Sequence, residues 1–142
     1  RAWKRRGGHD VARLRALFSA RTAASDVYAT REPGWLPITN LALQGRLPSG
    51  VLVVPHRDFL IVARQQGGVL HLDDVIGPEL PQLSEVLTAI PFKFERIVYH
   101  FTPDRLDPSA CPEPVSAEEG VMQVRGAWPT LTAFGVPSVW EH

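Results

Sequence analysis

Tyr99, His100 and Asp104 stand close together in the run RIVYHFTPDRL, and side chains of these types can move protons. A histidine near the end of a strand can take a proton from an amine, and a tyrosine can protonate a departing thiolate as a general acid. Open α/β sheets gather ligands at the carboxyl ends of their strands, which makes Tyr99 and His100 the catalytic candidates. The same letters also spell a helix start, with Thr102 as N-cap, Pro103 at the first helical position and Asp104 favourable to the helix dipole. Both readings stand at Asp104 and His100. Arg105 can recognise a substrate carboxylate or form a surface salt bridge.

A second group lies in Val69–Val75. Strict alternation puts Leu70, Leu72 and Asp74 on one face of that segment and Val69, His71 and Asp73 on the other. Asp74, set among apolar neighbours, could serve as an acid or base of raised pKa, accept hydrogen bonds from a loop, or cap the following helix. Asp74, Asp104 and Arg105 are the candidates for substrate binding. His71 and Asp73 could ligate a metal with His100 as the third donor, but no His-x-x-x-His or Cys-x-x-Cys spacing supports this, and no metal is expected. Cys111 has acidic rather than cationic neighbours, so an inert thiol is expected.

The elements that must position these residues follow one another with little slack. Val11, Leu14, Leu17 and Phe18 recur at helical spacing behind His9-Asp10, with Asp10 able to cap the first turn and Arg13, Arg15 and Arg21 pointing away. Glu32–Gly50 is broken by Pro33, Gly34, Pro37 and Pro48, around a short helix carrying Ile38, Leu41 and Ala42, with Trp35 and Leu36 covering a sheet edge. Strands are predicted at Val51–Val54, Phe59–Arg64 and Val69–Val75, joined by Pro55-His56-Arg57-Asp58 and by Gln66-Gly67-Gly68 into an antiparallel meander. Pro78 and Pro81 open a helix with Leu80, Leu83, Leu87 and Ile90 along one face, which Pro91 ends. Arg96–Phe101 then lies parallel to Val69–Val75 through a crossover. A Pro-rich loop fills 107–120, and Val121–Arg125 with Phe134–Trp140 form a final strand pair, Trp128 and Trp140 being core or interface aromatics.

Composition bounds what such a chain can be. Its 142 residues suit one α+β domain with a mixed sheet. Fifteen basic and fifteen acidic residues cancel, so neither nucleic acid nor an anionic membrane is the expected partner. RAWKRR sets four cations beside Trp3, but residues 1–8 read as a linker or cut end, with the chain an excised piece of something longer. One cysteine excludes an internal disulfide, which fits a cytoplasmic protein.

A helix, an antiparallel meander, a crossover helix and a strand parallel to the meander's last strand together resemble the GCN5-related N-acetyltransferase superfamily. The phrases VLHLDDVIG, YHFTPDRL and VMQVRGAW are similar to the C-terminal half of bacterial acetyltransferases with tandem halves. The resemblance covers Asp10 to Trp140. It implies acetyl transfer from acetyl-coenzyme A to a small-molecule or peptide amine, and an upstream acetyltransferase-like domain as partner. The superfamily's Gln/Arg-x-x-Gly-x-Gly/Ala loop, whose backbone N–H groups hold the cofactor's pyrophosphate, belongs between the last meander strand and its helix. Arg64-Gln65-Gln66-Gly67-Gly68-Val69 matches the first half of that pattern one strand too early. Asp74–Pro81, in the proper place, has one glycine, two prolines and two acids. The cofactor is therefore expected to bind mainly outside this chain, through residues the sequence does not identify. This half would shape the acceptor pocket or a subunit interface. The alternative is a stand-alone, non-catalytic binding or oligomerisation module on the same fold.

Overall fold

In the computed structural model, residues 8–26, 39, 42–43, 50–54 and 56–111 are described. Trp3, Trp35, Leu36, Ile38, Leu41, Trp128 and the final strand pair at Val121–Arg125 and Phe134–Trp140 lie outside them, as does most of the 107–120 loop. Among the described residues the order is α1 (Gly8–Ser19), β1 (Val51–Val53), β2 (Leu60–Gln66), β3 (Val69–Ile76), α2 (Leu83–Ala89) and β4 (Arg96–Tyr99). The strands form one mixed sheet in the order β1-β2-β3-β4. Thr39, Ala42 and Leu43 are helical where a short helix is expected. No helix among the described residues is long and apolar enough to cross a membrane.

The meander follows from its turns. Gly67 and Gly68 both have positive φ, 54° and 78°, as a two-residue hairpin whose twist matches its strands requires. The hairpin is tighter and longer than expected, because backbone pairing carries on through the exposed Gln65 and Gln66 to Leu70 and Val69. β3 and β4 are parallel, with Val69 opposite Arg96 and Leu72 opposite Tyr99. The fourth strand stops at Tyr99, earlier than predicted, and Phe101 turns into the core, set edge-on against Tyr99 with centroids 5.8 Å apart.

Each sheet face carries its own core. Leu14, Leu17 and Phe18 of α1 pack on Val51, Leu60, Val62 and Ile76. On the opposite face Leu52, Ile61, Ala63, Leu70, Leu72 and Val75 meet Val86 of α2 together with Ile90, Phe101 and Leu106. Full burial of such side chains contributes roughly 1.5–3 kcal/mol each. α1 begins at Gly8, so Asp10 falls inside its first turn rather than before it. α2 begins after Gln82, whose N–H donates to Glu85 Oε2 at 3.1 Å, the reciprocal contact of a capping box.

One irregularity corrects the expected face assignment. Val62 pairs with Asp74 while its neighbour Ala63 pairs with Leu72, so Asp73 is an extra residue in β3, a β-bulge. Past the bulge the alternation shifts by one. Asp74 lies on the α1 face with Val62 and His71, not with Leu70 and Leu72.

Candidate functional site

The bulge falls where β4 has stopped pairing with β3, and buried charge gathers on the α1 side of this fork. Asp73 and Asp74 are both 0% exposed. Arg21, from the segment after α1, grips Asp74 with two hydrogen bonds of 2.9 and 3.1 Å, and the Val75 N–H donates to Asp74 Oδ1 at 2.9 Å. The expectation that Arg21 points away is thus overturned. The helix has ended at Ser19, and a buried carboxylate holds the guanidinium in a bidentate pair. Asp74 does not cap the next helix either, since Gln82 is the residue before its first turn. Asp73 pairs with Arg64 of β2, Oδ2 to Nε 3.7 Å.

Arg64 also reaches the histidines. His71 Nδ1 lies 2.9 Å from His100 Nε2, and Arg64 Nη2 lies 3.2 Å from that same nitrogen. The two rings stack with centroids 5.2 Å apart. Burial is the main force holding the His71 pKa below the usual histidine range. The cations of Arg64 and Arg96 add to it, while Asp73 pulls the other way. No group of three or more His, Cys, Asp or Glu among the described residues could hold a metal ion. Arg64 lies 3.2 Å from His100 Nε2 and 3.7 Å from Asp73 Oδ2, beside two of the three residues read as possible metal donors.

Tyr99 and His100, adjacent in sequence, part company across the pleat. His100 joins His71 on the α1 face, while Tyr99 packs with the α2 core and its hydroxyl donates to Asp107 Oδ2 at 2.7 Å. Burial first, then that bond and the Asp107 charge, push the Tyr99 phenol far above its ordinary range, so it keeps its proton. Asp107 is held below the usual carboxylate range, chiefly by the Ser109 hydroxyl at 2.6 Å and then by Tyr99. One substrate atom cannot meet both catalytic candidates in this arrangement.

Asp104 and Arg105 belong to a clasp. The Asp26 N–H donates to Asp104 Oδ2 at 2.9 Å, Arg105 Nη1 donates to the Ala23 carbonyl at 2.9 Å, and Arg105 Nε lies 3.6 Å from Asp26 Oδ1. The helix start read at Thr102-Pro103-Asp104 is one isolated turn, in which the Pro103 carbonyl accepts from Leu106 and Asp107 N–H at 2.8 and 2.7 Å. Of the catalytic and substrate-binding candidates, Asp74 and His100 are therefore the two that the fork brings to one face. His71, Asp73, Arg64 and Arg21 complete the group. The Arg64 and Arg21 contacts join residues far apart in sequence that no local spacing signals.

The segment between β3 and α2 is also committed. Thr22 donates its N–H to the Gly77 carbonyl at 2.7 Å and its hydroxyl to the Pro78 carbonyl at 2.6 Å. A Cβ at Gly77 would lie 2.6 Å from the Asp58 carbonyl oxygen and 2.8 Å from Phe59 Cβ, so glycine is needed there for close passage of two chain segments. Glu85, in the first turn of α2, carries an ion pair to Arg57 at 2.7 Å. Cys111 is exposed. Compared with known proteins, the chain matches no family model, no curated protein and no solved structure.

Proposed function

We propose that this chain is the C-terminal acetyltransferase-like domain of a cytoplasmic bacterial N-acetyltransferase of the GCN5-related superfamily, contributing the acceptor pocket or a subunit interface. The observation that carries the reading is the fork. β3 and β4 run parallel over four rungs, from Val69–Arg96 to Leu72–Tyr99, and then separate at a bulge with polar side chains on the α1 side. In this reading the half-buried His71 and His100 with Arg64 form the wall facing an amine acceptor. His100 is the group proposed to take a proton from the amine nitrogen, which requires its Nε2 to give up the contacts with Arg64 and His71.

The described residues between β3 and α2 do not fit the pyrophosphate of acetyl-coenzyme A. Gly77 is hemmed in by Asp58 and Phe59, the Pro78 and Pro81 positions offer no N–H, and the acids Glu79 and Glu85 would repel phosphate. The reading therefore assigns cofactor binding to an upstream half of a longer parent protein. Calorimetric titration of acetyl-coenzyme A tests it. Binding to the parent but not to this chain supports the assignment, binding to neither sinks it, and tight binding to this chain alone overturns the exclusion of the Asp74–Pro81 segment.

A second reading, a non-catalytic binding or oligomerisation module, is favoured by one fact. Asp73, Asp74, Asp104, Arg105 and Tyr99 are all engaged in contacts within the chain. A parent protein that binds acetyl-coenzyme A equally well after this domain is replaced, yet loses self-association, would select that reading.

A further inference from the structure

His71 and His100 meet beside the last rung of the β3–β4 pairing. His100 is the first residue past β4, and its N–H donates to the Leu72 carbonyl at 2.9 Å, beyond the Leu72–Tyr99 pair. The chemistry of the contact fixes where the protons are. A guanidinium can only donate, so Arg64 Nη2 at 3.2 Å requires a lone pair on His100 Nε2. His71 Nδ1, 2.9 Å from that atom, must then carry a hydrogen and share the same acceptor. His100 is neutral in this state with its proton on Nδ1, and His71 keeps the Nδ1–H donor whether or not its Nε2 is protonated. The next proton can enter at His71 Nε2 without disturbing the contact. A proton on His100 Nε2 cannot, because it turns the shared acceptor into a donor and sets N–H against N–H beside a guanidinium.

We propose that the His71–His100 pair is a proton-operated latch on the β3–β4 fork, closed while His100 Nε2 is bare and released when acid protonates it. The charges that act on His71 come from three strands. β2 supplies Arg64, β3 supplies Asp73 and β4 supplies Arg96, and Asp74 beside Asp73 is paired with Arg21 of the segment after α1. Asp73 and Asp74 each pair with an arginine, Arg64 and Arg21, while Asp73 also acts on His71 against the cations. The lowered pKa of His71 has the same origin in burial and in the Arg64 and Arg96 charges. Release acts on the end of the fork alone, because Tyr99 and Phe101 anchor β4 in the opposite core. The inference stands whether or not the chain serves an acetyltransferase.

Residue-resolved amide hydrogen exchange on the whole chain, corrected for intrinsic rates, reads the latch directly. As pH is lowered from about 7.5 through and below the ordinary histidine range, the protection of the His100 amide falls about tenfold or more while the β2–β3 amides hold theirs. His100→Gln keeps an acceptor for Arg64 through its carbonyl oxygen but does not titrate, so protection at residue 100 becomes independent of pH. Unchanged protection in the native chain, or an equal fall in the variant, overturns the proposal. If His100→Gln does not fold, ring-proton NMR of the native chain decides. Two linked titration steps shared by His71 and His100 are expected, and two independent single-site curves would refute the latch.

Discussion

From Leu70 to Val75 the two faces of β3 are built from different materials, before Ile76 returns the α1 side to hydrocarbon. On the α2 side Leu70, Leu72 and Val75 join a cluster of hydrocarbon, whereas on the α1 side His71, Asp73 and Asp74 meet arginines and each other. Hydrocarbon packing is lost in increments, since a shortened side chain forfeits its own transfer energy and leaves a cavity that can partly relax. A buried ion pair fails as a unit, because deleting one charge strands the other away from water.

The largest effect that would test this contrast is at Asp74. Asp74→Ala leaves the Arg21 guanidinium, whose side chain is 10% exposed, without its carboxylate, and about 4 kcal/mol of stability is expected to go. Urea unfolding measures it, and a companion Arg21→Met, Asp74→Leu double variant should recover most of the loss. A double variant as unstable as the single one would mean that the ion pair itself, not the orphaned charge, is what matters. On the hydrocarbon face Leu72→Ala should cost about 3 kcal/mol, with no recovery available from a second substitution. A loss at Leu72 larger than at Asp74 would reverse the ranking of the faces.

Between those faces the Gly77 passage should show an intermediate sensitivity. Gly77→Ala forces Asp58 or Phe59 backbone to move and is expected to cost about 2 kcal/mol, read as a lowered thermal midpoint. A neutral result would show that the two segments separate freely. The smallest effect concerns Tyr99, where Tyr99→Phe removes one hydrogen bond and should cost about 1 kcal/mol. Its signature is in pH. The phenol is raised in the folded state above its ordinary 10.0, so the native chain holds a proton that the unfolded chain releases, and stability declines as pH climbs past 10. The phenylalanine variant should lack that tyrosine-dependent decline in an alkaline denaturation series.

Much of the hydrocarbon face was legible in the sequence. The Gly67-Gly68 turn, the alternating apolar strands and the helix after Pro81 are local signals, and each falls where its chemistry requires. The charged face was legible only in part. A bulge is a mismatch in count between two strands, and nothing in the letters LDDV tells which strand holds the extra residue. Arg21 finds Asp74 across 53 positions, so a reading confined to one helix period sends it toward solvent. Tyr99 and His100 look like partners because they are adjacent, although adjacency in a strand is what places two side chains on opposite faces.

The clasp between Arg105 and Ala23 bridges 82 positions, and that between Asp104 and Asp26 bridges 78. Contacts of such long sequence separation carry a large loop-closure cost, so they are expected to form late in folding rather than in its nucleus. Trimming Arg105 to alanine should therefore hasten unfolding while leaving the refolding rate nearly as it was, a split that a chevron plot resolves. By that logic the clasp governs how long the folded chain survives rather than how quickly it forms.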